Sequence, residues 1–234
     1  MEVRINKYLS EVGVCSRREA DRLIQEGRVS VNGSTAVPGS RILPSDEIRI
    51  DGKSIRKEER KVLLLFYKPR GLVCSTKKQF HETTVIEYIR YPLRLFPVGR
   101  LDKDSEGLLL LTNQGDLADR ILRARNRHEK EYLVWVDHPI DSFFVHKMST
   151  GVPILDTVTR PCRVEKKDDN CFAITLTQGL NRQIRRMCEA LGYRVVRLKR
   201  IRIMNLTLGK LKKGQYREVS EEEWDQLKRM LEEA

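Results

Sequence analysis

The hydrophobic positions near the start of the chain recur at the spacing of an α-helix. Ile5, Tyr8, Leu9 and Val12 lie three or four residues apart, as the buried face of a helix requires. Gly13 follows at the point where such a helix would end. The pattern therefore predicts a first, short helix that buries one face.

A second helix and short strands are indicated directly afterwards. Ser16 and Glu19 have the spacing of a capping box, and Gly27 would close the helix that they begin. Alternating hydrophobic residues then flank turns at residues 32–33 and 51–52, which is typical of short antiparallel strands. Together these elements predict a small helix-helix-hairpin domain over residues 1–52.

The rest of the chain carries longer apolar runs separated by fewer helical patterns. These runs predict a second domain over residues 62–234, and a chain of the α+β class with a mixed, mainly antiparallel sheet. A capping box at Ser220 predicts the final helix. Residues 53–61 are almost wholly polar, and we expect them to form a flexible linker. The predicted strands are residues 62–67, 108–111, 132–136 and 171–177.

The charge of the chain indicates a polyanionic partner. The 234 residues carry a formal net charge of +12, and residues 178–217 hold twelve Arg and Lys side chains against Glu189 as the single acid. Charged surface runs normally mix both signs, so this segment predicts a nucleic-acid partner. The N-terminus has no apolar signal core, and no apolar run approaches the roughly 20 residues of a membrane span. We therefore expect a cytoplasmic protein with no membrane partner.

The cysteines and histidines indicate no metal centre. The five cysteines are widely spaced, and neither they nor the four histidines have the spacing of a zinc site. We therefore expect reduced, mostly structural cysteines and no bound metal ion.

An arginine and an aspartate directly before a predicted buried strand form the strongest candidate for an active site. Arg100 and Asp102 lie a few residues ahead of the run 108–111. A rigid strand would hold a reacting carboxylate in place. Taken alone, however, the pattern favours an aspartate that only stabilises a turn.

Resemblance to a known family changes that interpretation. Gly-Arg-Leu-Asp at residues 99–102, Lys-Glu-Tyr at 130–132 and Gly-Leu-Asn-Arg-Gln-Ile-Arg-Arg-Met at 179–187 resemble, in order, the signatures of the RsuA branch of the pseudouridine synthases. That branch modifies ribosomal RNA. The last string, followed by Gly192 and Tyr193, is most similar to the RluF type, which acts on the large subunit. The resemblance implies isomerisation of uridine to pseudouridine with no metal, redox cofactor or nucleotide cofactor.

The same resemblance implies roles for particular side chains. Asp102 would be the essential carboxylate, and Tyr132 would stack on the target uracil and could serve as a general base. Arg185 would pair with Asp102 and keep it ionised. Arg100 would help to displace the target base from its stack. We expect further arginines to contact RNA phosphates, namely Arg182, Arg186 and Arg200.

The first domain resembles the S-four RNA-binding domain. Ser-Arg-Arg-Glu-Ala at residues 16–20 and Gly-Arg-Val-Ser-Val-Asn-Gly at 27–33 carry this resemblance. Two of the implied contacts would lie in the first turn of a helix, where backbone amides also attract phosphate. The residues implied to face RNA are Arg17, Arg18, Arg28 and Asn32.

Two other classes of protein fit parts of the sequence. A non-catalytic RNA-binding or ribosome-assembly factor would use the basic surface, but has no need for Asp102, Tyr132 and Arg185 together. A metal-dependent nuclease needs clustered carboxylates, and Asp102, Asp104 and Glu106 have no second acidic cluster to join them. For the enzyme we expect a monomer, ribosomal RNA as partner and transfer RNA as a second candidate substrate. A covalent adduct of the aspartate and a glycal-like intermediate both remain open.

Overall fold

A computed structural model of the protein describes residues 2–55, 60–76, 81–123 and 128–232. Within these ranges the chain divides into two compact units. The first comprises residues up to Val62 together with Tyr91–Leu95 and Thr112–Gly115, and the second comprises the rest. The predicted α+β class with a mixed, mainly antiparallel sheet is confirmed.

The first unit contains two helices, preceded by one short strand and followed by five more. Its elements are β1 (Val3–Arg4), α1 (Ile5–Glu11), α2 (Arg17–Gln25), β2 (Val29–Val31), β3 (Ser34–Thr35), β4 (Arg41–Ile42), β5 (Ile48–Ile50) and β6 (Lys53–Ser54). Strands β3, β2, β5 and β6 form an antiparallel sheet in that order. The hydroxyl of Ser16 accepts a hydrogen bond from the Glu19 amide at 3.2 Å, which confirms the predicted start of α2. Ile5 and Leu9 of α1 are buried with Leu23 of α2 in the core of this unit.

The sheet of the first unit extends beyond the domain boundary predicted at residue 52. Strand β6 pairs with β5, and the Ile55 amide donates a hydrogen bond to the Ile48 carbonyl at 2.9 Å. Both side chains of β6 are exposed, so the backbone pairs without leaving an apolar pattern in the sequence. This pairing corrects the start of the predicted linker, 53–61, of which residues 56–59 lie outside the described ranges.

The second unit is built on a nine-stranded sheet. The elements that follow along the chain are β7 (Leu63–Lys68), α3 (Val85–Ile89), β8 (Phe96–Pro97), β9 (Glu106–Thr112), α4 (Gly115–Leu122), β10 (Lys130–Val136), α5 (Ser142–Thr150), β11 (Pro153–Ile154), β12 (Thr157–Val158), β13 (Arg163–Asp168), β14 (Cys171–Leu176), α6 (Gln183–Ala190), β15 (Val195–Ile203), β16 (Leu206–Thr207), β17 (Tyr216–Glu218) and α7 (Glu221–Glu232). The order across the sheet is β13-β14-β10-β15-β9-β7-β17, with β16 beside β15 and β8 beside β9. Strand β10 is antiparallel to both of its neighbours, whereas β15 and β9 run parallel.

Strand β9 carries the predicted apolar run and is buried along its whole length. It passes very close to β15 at Gly107, which has a φ of +111°. A Cβ atom at this position would lie 2.2 Å from the carbonyl oxygen of Arg200. Only glycine therefore permits this approach, which brings the loop before β9 next to β15.

The final helix, α7, begins as predicted. The Ser220 amide donates to the Glu223 carboxylate at 2.9 Å, and the Glu223 amide donates to the Ser220 hydroxyl at 3.2 Å. Leu227 and Leu231 are buried, and Trp224 packs against the same core. Among the described residues, no helix has the length and apolar character needed to cross a membrane.

Candidate active site

A cavity of about 520 Å³ opens in the second unit beside the loop at residues 99–105. It is also lined by residues of the adjacent strands β10 and β15 and of the start of α6. Asp102, Tyr132 and Arg185 all line it, so the structure brings together the three residues expected to carry the chemistry. Asp102 is the single carboxylate among the described lining residues, and so strong an excess of positive charge attracts an anionic ligand. The cationic lining residues are Arg100, Arg123, Lys130, Arg160, Arg182, Arg185 and Arg200.

A buried lysine holds the loop that carries Asp102. Lys68 ends β7 and is fully buried. Its ammonium donates hydrogen bonds to the carbonyl oxygens of Pro69, Asp102 and Ser105 at 3.1, 3.0 and 2.8 Å. Burial lowers the pKa of Lys68, while the negative charges of Asp104 and Asp102 oppose that shift. Sequence analysis missed Lys68, whose one signal is its position directly after the apolar run 62–67.

The two arginines near Asp102 are arranged differently from the prediction. Arg182 lies with its Nη1 atom 3.6 Å from Oδ2 of Asp102 and also pairs with Asp104 at 3.3 Å. Arg185 pairs with Asp104 at 3.3 Å and donates to the Ser105 hydroxyl at 3.1 Å. The Arg185 side chain is 13% exposed and that of Arg182 is 43% exposed. Arg185 therefore braces the loop, and Arg182 is the cation next to Asp102.

The backbone at the start of α6 explains why Arg182, and not Arg185, lies next to Asp102. The helix begins at Gln183, and Arg182 has a φ of +49°, in the left-handed region. The expected outward orientation of Arg182 is corrected, because it relied on helical spacing that does not extend to this residue. Its contact with phosphate stays a prediction. Arg186 does lie in the helix and donates to the carbonyl and side-chain oxygens of Asn181, both at 3.1 Å. Its contact with phosphate stays a prediction.

The two acids that follow Asp102 are occupied by cations. Asp104 pairs with the two arginines just described. Glu106 is buried and pairs with Arg197 at 2.6 Å and with Lys213 at 2.7 Å. Burial opposes ionisation of Glu106, but the hydrogen bonds from Lys213 and Arg197 lower its pKa. A metal ion would have to displace these cations, so the arrangement disfavours the nuclease hypothesis.

Tyr132 and Arg100 reach the cavity from a strand and from its rim. Tyr132 is half-buried on β10 and packs against the core that includes Leu101 and Ile184. Arg100 is exposed at the beginning of the loop. These positions suit stacking on an extruded base and filling the space that the base leaves, and both roles stay predictions.

Arg200 is buried and does not lie on the surface, and its expected contact with a phosphate stays a prediction. The residue is 4% exposed, and its Nε atom donates to the Leu108 carbonyl at 2.7 Å. It lies directly opposite Tyr132 in the antiparallel pairing of β15 with β10. Side chains at directly opposed positions project from the same face of a sheet, so Arg200 faces the cavity with Tyr132.

The first unit places its predicted RNA contacts on the surface. Arg17 and Arg18 are exposed in the first turn of α2. Arg28 forms a two-pronged ion pair with Asp51 at 2.6 and 2.9 Å. The side-chain amide of Asn32 donates to a carboxylate oxygen of Asp46 at 3.0 Å and accepts from a backbone amide at 2.9 Å. Asn32 thus stabilises its own turn, and contact of these residues with RNA stays a prediction.

We expect Arg185→Met to reduce the single-turnover rate by about 100-fold, because displacing a reacting group by about 1 Å has an effect of this order. Arg182→Met should reduce the rate less than about tenfold, since its ion pairs are half-exposed and solvent weakens them. RNA affinity should change little in Arg185→Met. Single-turnover rates and RNA titrations of the two variants test this, and equal rates would show that the buried arginine does not brace the loop.

A single carboxylate in a strongly basic cavity, in a chain whose first unit presents exposed arginines, is typical of an enzyme that acts on a polyanion. The family described as RNA pseudouridylate synthase matches residues 62–190, and the S4 domain matches residues 3–48. The chain therefore belongs to the RNA pseudouridylate synthase family, in agreement with the resemblance of its motifs.

Similar proteins extend over nearly the whole chain. The dual-specificity RNA pseudouridine synthase RluF of Escherichia coli K12 is 50% identical over 232 residues, which cover 98% of this chain and 80% of that protein. The ribosomal large subunit pseudouridine synthase B of Bacillus subtilis is 34% identical, with 96% and 95% covered. A crystal structure of a pseudouridylate synthase has a TM-score of 0.71 and 31% identity, and the alignment covers 96% of this chain and 99% of that one.

Proposed function

We propose that this protein converts a uridine to pseudouridine in large-subunit ribosomal RNA, with Asp102 as the essential carboxylate. The observation that carries the proposal is the meeting of Asp102, Tyr132 and Arg185 in one basic cavity. The relatives from E. coli and B. subtilis are both pseudouridine synthases, which supports the reaction, and the B. subtilis enzyme is a large-subunit synthase, which supports the substrate. A non-catalytic assembly factor would have no need for this arrangement.

The reaction breaks the bond between N1 of uracil and C1′ of ribose and forms a bond between C5 and C1′. C5 loses its proton, and N1 gains a proton. Asp102 would react with or stabilise the nucleotide while it is cleaved. Tyr132 offers a flat ring on which the base can turn, and Arg100 offers a planar cation for the vacated stack. Arg182 would keep Asp102 ionised, and Arg185 would hold the loop in place.

The E. coli relative is a dual-specificity enzyme, which supports a second RNA substrate, and we propose transfer RNA for that place. The first unit would capture folded RNA through exposed arginines before the base enters the cavity. We further propose that the protein acts as a monomer in the cytoplasm, where its substrates are.

The test is a map of pseudouridines in ribosomal and transfer RNA from cells with and without this protein. At least one site in large-subunit RNA should disappear on deletion and return with the wild-type chain, but not with Asp102→Asn. Retention of every site after deletion, or rescue by the aspartate variant, would overturn the proposal.

A further inference from the structure

Two neighbouring cations on the wall of the cavity have no acid to pair with in the described part of the chain. Arg200 donates to two neutral carbonyl oxygens, of Leu108 at 2.7 Å and of Arg100 at 3.5 Å. Its Nη2 atom is buried and has no hydrogen-bond partner. The ammonium of Lys130 donates to the His128 carbonyl at 3.4 Å. Both cations are therefore held by neutral groups, and one buried guanidinium nitrogen lacks a hydrogen-bond acceptor.

These two cations lie close to the position expected for the target base. Lys130 and Tyr132 are two residues apart on β10, so they project from the same face, and Arg200 lies opposite Tyr132 on β15. All three line the cavity. Burial lowers the pKa of Lys130, and the positive charge of Arg200 lowers it further. The folded protein thus keeps two like charges together at a cost to its own stability.

We propose that Lys130 and Arg200 form a binding site for the phosphate group adjacent to the target uridine. The site itself follows from the charges, and its assignment to RNA rests on the proposed function. An anion would relieve the repulsion between Lys130 and Arg200 and accept a hydrogen bond from Nη2 of Arg200. Uracil is neutral, whereas a nucleotide that leaves the stack carries its flanking phosphates with it. The pair therefore fixes the backbone of the extruded nucleotide, while the neighbouring Tyr132 receives its base.

The first experiment measures thermal unfolding of the full-length protein without RNA. Lys130→Met should raise the Tm by about 1–3 °C, since it removes a half-buried charge that has no acidic partner and keeps the shape of the side chain. Inorganic phosphate should raise the Tm of the wild type by about 2 °C beyond chloride at equal ionic strength, because it binds the folded state. Lys130→Met should lose that response and Lys130→Arg should retain it. Lys210→Met, which removes an exposed cation outside the cavity, should change neither value.

The second experiment measures binding of a substrate RNA in which one linkage beside the target uridine is replaced by a neutral methylphosphonate. On one side of the uridine the replacement should weaken wild-type binding by about tenfold, in the range of a charge-assisted contact. Lys130→Met should bind the charged RNA more weakly and be indifferent to the replacement.

The outcomes separate this inference from the proposed function. A lower Tm for Lys130→Met, or equal phosphate protection of wild type and variant, would make Lys130 a structural residue and overturn the inference. Isomerisation without any effect of the neutral linkages would also overturn it and leave the enzyme's function intact. A rise in Tm with phosphate that depends on Lys130, in a protein that modifies no uridine, would support the anion site and reject the proposed function.

Discussion

Asp102→Asn is expected to reduce the rate of isomerisation by at least about 10⁴-fold, the order of loss seen when a reacting nucleophile or base is removed. Asparagine keeps the size of the side chain, so the loop and its hydrogen bonds to Lys68 through main-chain oxygens stay in place. RNA affinity should remain within about threefold, because binding depends on many cations. The measurement is single-turnover formation of pseudouridine, paired with titration of the same RNA.

The matched control is Asp104→Asn, which makes the same chemical change two residues further along the loop. Asp104 is the main acidic partner of Arg182 and Arg185, and its loss should reduce turnover by no more than about tenfold, since these ion pairs are partly exposed. Substantial turnover by Asp102→Asn, or an equal loss in both variants, would show that the reacting carboxylate has been misassigned.

Lys68→Met is expected to cause the largest loss of stability, about 3 kcal/mol or more in the free energy of unfolding. Methionine fills nearly the same space, but the carbonyl oxygens of Pro69, Asp102 and Ser105, of which the last is fully buried, would lose their shared donor. Turnover should also fall, because one of these oxygens belongs to Asp102 itself. Urea unfolding monitored by circular dichroism gives the first quantity, and single-turnover kinetics give the second.

Lys103→Met provides the comparison within the same loop. Lys103 is half-exposed and pairs with Glu82 at 2.8 Å, so its loss should cost less than about 1 kcal/mol. If the two variants unfold at the same urea concentration, the buried ammonium does not stabilise the loop, and the explanation of its position would have to change.

Local features of the fold could be predicted from the sequence because they depend on residues close together in the chain. The caps at Ser16 and Ser220 each need only a partner three residues later. The run at 108–111 has too little polarity for any place but the interior, and the structure buries it in β9. The boundary at residue 52 failed because β6 is held by backbone pairing, which leaves no trace in hydrophobicity.

The sequence predicted which residues form the candidate site, but not how they are arranged. Motif resemblance predicted Asp102, Tyr132 and Arg185, which the structure brings to one cavity. Strand β15 carries cations on both of its faces, so alternation could not show that Arg200 turns inward. The contacts of Lys68 join residues more than thirty positions apart, and a single sequence contains no signal for such a distance.

The hydrogen bonds from Lys68 to the loop affect which loop residues can be substituted. The ammonium holds main-chain oxygens, which every amino acid supplies, so the shape of the loop is independent of most of its side chains. Residue 103, whose side chain pairs with Glu82 on the surface, can then vary, in evolution or by design, while the carboxylate at 102 keeps its place. The loop combines a fixed carboxylate with a replaceable neighbour, so its outer surface can change without rebuilding the backbone that carries Asp102.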